Sequence, residues 1–381
     1  MNVIVFGHNG VNATGLVRSL GRKNHNVYVI LHESLVNFTA KSKYVKGVWY
    51  VGEKTEWLET IKSVCREIGG VILLLSTGDE EAKFINIHQE DLKDYCIVEG
   101  VSDKDIRHLY FKKDYIYKLA KDNGLHLIDT IIINSKQECL PNSIHYPVIV
   151  KALDSTCGGK DVMDVFNSSK ELVEHINTIR PDYFPLQLQS FIKKEKEVML
   201  QGCSLMHGQQ IHIPICFVKT RCSGCGNGYG SFGYSISTSE DSELLDLTQK
   251  VTNILKKIGY QGLFSAEFLY AQGIYYFLEI NFRNDGTSIV STESGFNLPD
   301  IYCESFNNIT DIKRNHFHKV YYMYEGDFSH VLQGNIGLLA WIKDALRRDC
   351  FWYMVDRNDW KPLISYFYFR IKRKIFNLLN K

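Results

Sequence analysis

The stretch "YYFLEINFRNDG", residues 275–286, ends an apolar run with a carboxylate, an amide and a guanidinium at alternate positions. On a strand, Glu279, Asn281 and Arg283 would leave one face, with neighbours about 7 Å apart. The preceding run, "LFSAEFLY", is separated from "IYYFLEINF" by only "AQG", a hairpin connection that brings Glu267 beside Glu279. Three oxygen-bearing side chains converging on one spot suit Mg²⁺, which takes oxygens at about 2.0–2.1 Å and is usually shared with substrate phosphates. One carboxylate can also bridge two metals about 3.5–4 Å apart. The competing reading is an edge strand with solvated polar residues. A Glu and an Asn this close to aromatic and aliphatic neighbours need a partner for the charge, which favours the metal.

Cations that could meet a phosphate lie elsewhere. Lys151 ends the apolar strand "YPVIVK", just before the glycine-containing loop "ALDSTCGGK". A strand-end lysine reaches a phosphate as a point charge, and glycines let backbone N–H groups approach it. Lys113 sits in a helix before that strand, where a solvated face is the competing reading. Lys219 and Arg221 flank Thr220, immediately before a second glycine-rich loop, "RCSGCGNGYGSFG". With four glycines in nine residues, 222–230 is expected to be mobile without ligand, and its closure would cover reacting phosphates. Cys222 and Cys225 form C-x-x-C, but no second pair completes a zinc site, and the histidines show no metalloprotease spacing. No G-x-S-x-G elbow is present.

The elements that must position these groups fall into two styles. The first hundred residues alternate strand and helix, "NVIVFG", "TGLVRSLGRK", "NVYVIL", "GVWYV", a helix near 54–68, then "GVILLLS". That alternation predicts a doubly wound parallel sheet. The first turn, "GHNGVNATG", carries Gly7, Gly10 and Gly15 without the G-x-G-x-x-G spacing. A tight strand-to-helix turn explains it; the alternative is an NAD(P)-dependent oxidoreductase, with Glu33 as a poor ribose ligand. From about 106 the pattern becomes α+β with antiparallel strands, and "SELLDLTQKVTNILKKIG" is an amphipathic helix with Gly259 as its C-cap. The tail "FWYMVDRNDWKPLISYFYFRIKRKIFNLLNK" interleaves aromatics with Arg370, Lys372, Arg373 and Lys374. It reads primarily as a helix packed on the body with a basic outer face, and alternatively as a peripheral membrane-surface helix. A net charge of +1 gives no field for nucleic acid, and 45% hydrophobic residues allow a substantial core. Scattered cysteines, no secretory-type start and no long uncharged apolar run predict a cytoplasmic protein with reduced thiols.

The order of these elements resembles the ATP-grasp superfamily, most closely its carboxylate–amine ligases related to carbamoyl-phosphate synthetase and D-aspartate ligases. The pair "AEF…LEINFR" carries most of the resemblance, which spans the chain from "VIVFG" to "FLEINFR". It implies a Rossmann-like pre-ATP-grasp domain over 1–105, an ATP-grasp domain over 106–308 with a lid at about 112–192, and a C-terminal helical extension over 309–381. It implies magnesium, in two ions with manganese as a substitute, on Glu267, Glu279 and Asn281. Arg283 would face the reacting phosphoryl group or the substrate carboxylate, and Lys219 and Arg221 would stand near the γ-phosphate. Lys113 and Lys151 would touch the ATP phosphates. Gln189, Ser190, Phe191 and Ile192 would form the adenine hinge, and Glu197, or Glu195 in the "KKEKE" run, would bind ribose. Phe282 stands where proline is common, Ser190 where an acid is frequent, and Cys157 lies in the phosphate loop. The implied activity joins a small-molecule carboxylate, an amino acid or cell-envelope precursor among the candidates, to an amine through an acyl phosphate. A non-catalytic ATP-binding protein is a further alternative, and the oligomeric state is open.

Overall fold

The structure, a computed structural model, describes residues 1–34, 37–138, 140–141, 144–153, 163–222, 230–307 and 316–379. Most of both glycine-rich loops, Cys157 and Cys225 included, lie outside the described residues, and so does the expected lid at 222–230 apart from its ends.

The first sheet is parallel. It comprises β1 (Asn2–Gly7), β2 (Asn26–His32), β3 (Val45–Val51), β4 (Ile72–Ser76) and β5 (Ile97–Val98), in the order β3-β2-β1-β4-β5. Helices α1 (Val11–Gly21), α2 (Trp57–Ile68), α3 (Asp79–Ile87) and α4 (Gln89–Leu92) connect the strands. Residues on both faces of β1 and β4 are buried, as the continuous Val/Ile/Leu runs require. Strand order reverses between β1 and β4, so a crevice opens at their C-terminal ends.

After β6 (Gly100–Val101), α5 (Lys104–Arg107), α6 (Lys113–Asp122) and β7 (His126–Leu127) comes a second, smaller sheet. Its strands β8 (Thr130–Ile133), β9 (Val148–Ala152), β10 (Asp164–Phe166) and β11 (Leu186–Ser190) run antiparallel in the order β10-β9-β11-β8. Val148, Val150, Leu186 and Leu188 pack under α7 (Ser169–Thr178). The intervening positions Lys151, Gln187 and Gln189 therefore leave the opposite face.

The large sheet holds β12 (Lys196–Leu205), β13 (Gln210–Cys222), β14 (Gly230–Ser237), β15 (Tyr260–Ala271), β16 (Ile274–Asn281), β17 (Tyr321–Met323) and β18 (Cys350–Trp352). Its order is β18-β17-β14-β13-β12-β15-β16-β7. Helix α8 (Ser242–Ile258), closed by left-handed Gly259 as expected, buries Leu247, Val251, Ile254 and Leu255 against one face of it. The chain ends through α9 (Ile289–Glu293), α10 (Leu298–Glu304), α11 (Ser329–Leu332), α12 (Leu338–Ala345) and α13 (Lys361–Leu379). The C-terminal segment thus does more than add helices, because β17 and β18 extend the sheet from β14.

That segment also clamps the first domain. Arg18 on α1, 1% exposed, donates to Asp359 Oδ2 (3.0 Å) and to the carbonyls of Tyr353 (2.8 Å), Met354 (3.2 Å) and Asp359 (2.9 Å). Gly15, on the same helix, lies so close to Tyr353 that any side chain would strike its hydroxyl. The third glycine of the first turn thus permits close packing of α1 against the C-terminal segment, and no dinucleotide is needed to explain it.

Candidate active site

The hairpin forms as its sequence predicts. Gln272 and Gly273, both at positive φ (52° and 79°), make the two-residue turn between β15 and β16. Glu267 is the register partner of Glu279, and Ser265 that of Asn281. The register slips between Glu267 and Phe268, so Leu278 is an extra residue on β16. This bulge decides which way the side chains point. Phe277 enters the core under α8 while Glu279, two residues later, faces the other side.

On that polar face, Asn281 Nδ2 donates to Glu267 Oε1 (3.1 Å), and Arg283 Nη2 donates to Asn281 Oδ1 (3.2 Å). Glu197 on β12 is opposite Lys219 on β13. The Lys219 ammonium bridges Glu197 (2.5 Å) and Glu267 (3.1 Å), and Lys194 reaches the other oxygen of Glu197 (2.8 Å). Burial pushes the Glu267 carboxyl up to about 7; Lys219 opposes the shift, and Glu279, Glu197 and Asp285 add to it. Burial also works against the Lys219 ammonium, but Glu267 and Glu197 outweigh it and hold its pKa above the usual range. Glu197 is held below the usual carboxylate range: burial would raise it, and Lys219 and Lys194 overcome that.

Glu279 differs from its neighbours. Among the described residues no side chain bonds its carboxylate, although it faces a cavity of about 430 Å³ lined also by Asp79, Lys113, Tyr117, Asn281 and Leu153. That volume is within the range of small-molecule sites. Burial, with Glu279 adding to it, pushes the Tyr117 hydroxyl up to about 12. Lys151 Nζ donates to Gln189 Oε1 (3.1 Å), whose amide donates in turn to Thr130 Oγ1 (3.1 Å). Burial lowers the Lys151 pKa, Glu279 counters that, and Lys113 reinforces it. Lys113, Lys151 and Glu279 therefore share one electrostatic neighbourhood between the small and large sheets. The resulting array, crowded carboxylates with an unpartnered Glu279, is a donor set that fits a hard divalent cation.

The remaining expected residues are placed as follows. The Ser190 and Phe191 backbone N–H groups bond the carbonyls of Asp129 (3.1 Å) and Pro147 (2.9 Å), fixing the crossover that Ile192 continues toward the large sheet. Glu195 is exposed and accepts from the Gln272 N–H at the hairpin tip (2.8 Å), so Glu197 is the inward-facing acid of "KKEKE". The expected pairing of Lys219 with Arg221 at one spot is absent. The β13 register slips between them, and Arg221 bonds Asp327 (2.8 Å) and Asp344 (2.7 Å) and stacks on Phe232.

Several partners carried no sequence signal. Asp79, at the start of α3, grips Arg283 (2.7 and 3.4 Å) and keeps its guanidinium firmly charged against burial. Asn12 donates to the carbonyls of Thr77 (2.7 Å) and Asn284 (2.8 Å), so the end of β16 docks in the β1/β4 crevice. At the mouth of that crevice His8, His32 and Glu81 gather their ligand atoms within 4.8 Å of one another. His32 Nε2 lies 2.5 Å from Glu81 Oε1, and the buried Glu81 Oε2 has no hydrogen-bond partner among the described residues. Such a set could take a cation or an ammonium.

No protein-family model matches the chain. Over 250 residues, 64% of the chain, it is 24% identical to the arginine-specific carbamoyl phosphate synthase large chain of Geobacillus stearothermophilus, covering 22% of that protein. The chain spans about a third or less of the length of the first curated relatives it matches. Among solved structures it is similar to an L-amino acid ligase from Bacillus licheniformis, with a TM-score of 0.61 and 14% identity over 80% of this chain and 73% of that one. It is likewise similar to a biotin carboxylase–β,γ-ATP complex from Campylobacter jejuni, with a TM-score of 0.65 and 17% identity over 84% and 73%.

Proposed function

We propose, from a chain that has the ATP-grasp fold, that it is an ATP-dependent carboxylate–amine ligase working through an acyl phosphate. The observation that carries this reading is the Glu267–Glu279–Asn281–Arg283 array, whose acids crowd one another while Glu279 has no hydrogen-bond partner among the described residues.

ATP lies between the small and large sheets. Adenine rests against the crossover Gln189–Ser190–Phe191–Ile192, and ribose hydroxyls bond Glu197. Lys151 and Lys113 meet the phosphate oxygens, Lys151 exchanging its bond to Gln189 for one to an anion. Glu267, Glu279 and Asn281 would hold two magnesium ions, for which manganese can substitute. The metal would supply charge neutralisation on the triphosphate.

The substrate carboxylate attacks the γ-phosphorus. The bond to the β–γ bridging oxygen breaks, ADP leaves, and an acyl phosphate forms. The amine then attacks the acyl carbon, loses a proton and expels inorganic phosphate. Triphosphate and carboxylate are both anions, so positive charge must offset their repulsion before they can meet. Arg283 serves the carboxylate or the moving phosphoryl group, its fork already ordered by Asp79, and Lys219 provides a second fixed charge. Arg221 could join them only by leaving Asp327 and Asp344. The β1/β4 crevice receives the amine, with the unpartnered Glu81 oxygen as an acceptor for its ammonium form. ATP dependence fits a cytoplasmic setting.

A screen for ADP release over pairs of amino acids, small carboxylates and amines tests the reading. The expected result is ADP formation that requires Mg²⁺ and rises with one acid–amine pair. ADP release indifferent to every carboxylate would remove the ligase assignment.

A further inference from the structure

Helix α13 is fastened to the body by one face. Tyr366, 4% exposed, packs edge-on against Phe38 and Tyr324, Leu363 joins the same cluster, and Ser365 Oγ donates to the Asn37 carbonyl (3.2 Å). A helix docked this way should present polar residues to water. Instead Ile364, Phe367, Tyr368 and Ile371 stand 58, 49, 67 and 60% exposed. Their spacing of three, four and seven residues makes them one stripe along the helix. Trp360, just before the helix, is 54% exposed.

Charge singles out the same segment. Residues 361–381 hold Lys361, Arg370, Lys372, Arg373, Lys374 and Lys381 and no Asp or Glu, whereas the rest of the chain has 38 Lys and Arg against 43 Asp and Glu. All of this segment's charge is therefore positive, on a chain that is otherwise net negative. Among the described residues no helix is long and apolar enough to cross a membrane.

We propose that α13 lies flat on an anionic lipid surface, with its apolar stripe at the acyl boundary and the exposed Lys361 and Lys372 among the headgroups. Apolar burial and headgroup attraction act together in such helices, and tryptophan and tyrosine favour the interface. A second copy of the chain is the poorer occupant, because two stripes meeting across a twofold would bring together two wholly basic segments. The primary expectation from the sequence, a packed helix with a basic outer face, holds for the Tyr366 face and leaves the Ile364–Ile371 stripe unexplained.

The test is flotation of the full chain with vesicles of phosphatidylcholine alone and of phosphatidylcholine mixed with phosphatidylglycerol. Binding is expected on the anionic vesicles and should weaken as salt rises. Phe367→Asp with Ile371→Asp should abolish it, while the thermal midpoint stays within a few degrees because both side chains are exposed. Lys361→Gln with Lys372→Gln should lower the partition coefficient about thirtyfold, each basic residue near the surface contributing about fivefold. No binding to anionic vesicles would overturn the proposal, as would equal binding by the Phe367/Ile371 variant. A dimer in sedimentation velocity that this variant converts to monomer would assign the stripe to a second copy instead.

Discussion

Glu279→Gln should make the protein more stable and far less active, and the two effects share a cause. Glu279 faces Glu267 as a register partner. Partners on adjacent strands have Cβ atoms about 5 Å apart, and at an effective dielectric constant of about 20 two carboxylates at that separation repel by roughly 3 kcal/mol. The Glu267 carboxyl, pushed up to about 7 by burial with Glu279 adding to it, is consistent with such crowding. Without metal, the amide should relieve much of this repulsion and raise unfolding free energy by about 1–3 kcal/mol. With metal the sign reverses, since the variant lacks a charged oxygen that the ion would use. Urea unfolding in EDTA and in saturating Mg²⁺, with ADP release measured in parallel, separates the terms. Stabilisation in EDTA, a smaller Mg²⁺-induced shift and turnover lower by orders of magnitude are expected. A variant that is less stable in EDTA, or that keeps near-normal turnover, would place Glu279 outside a metal site.

Three further perturbations probe other parts of the account. Lys151→Ala should weaken a non-hydrolysable ATP analogue tenfold to a hundredfold in calorimetry, because a charge-assisted contact is worth about 1.5–3 kcal/mol; an unchanged Kd would remove Lys151 from the phosphate site. Arg18→Met should cost about 3–5 kcal/mol in urea unfolding, since it leaves buried Asp359 without its counter-charge, and a cost under about 1 kcal/mol would mean that the C-terminal clamp adds little. Burial raises the carboxyl of Glu99 from 4.5 to about 7 even though Ser76 and Leu263 N–H groups bond it. The folded state then binds the extra proton, so stability falls as pH rises from 4.5 to 7, by about 3 kcal/mol at 1.36 kcal/mol per unit. Glu99→Gln should flatten that slope, and an unaltered pH profile of stability would contradict the shift.

The array Glu279, Asn281 and Arg283 was legible because strand alternation is local, and "AEF" and "LEINF" sit either side of a turn too short for any partner but each other. Gly259 and the βα alternation were legible for the same reason. Asp79 was not, since nothing in "TGDEE" says that the chain brings it to a residue 204 positions later. Alternation also failed where the ladder slips. Lys219 and Arg221 share a period of two, yet the irregularity between them sends one side chain to Glu197 and the other to Asp327. The same kind of slip at Leu278 worked unnoticed in favour of the expected site. Strands β17 and β18 have three residues each, too few to show a period, so the tail read as helical.

The central claim, that a substrate carboxylate takes the γ-phosphoryl group of ATP, is tested most directly by isotope transfer. The acid found in the ADP-release screen is labelled with ¹⁸O in its carboxylate and turned over with Mg²⁺, ATP and the amine. The inorganic phosphate is then analysed by mass spectrometry. Each phosphate released is expected to carry a single ¹⁸O from the carboxylate, in step with the amide formed. Phosphate with no label, its fourth oxygen drawn from water while both labelled oxygens stay on the acid, would contradict it.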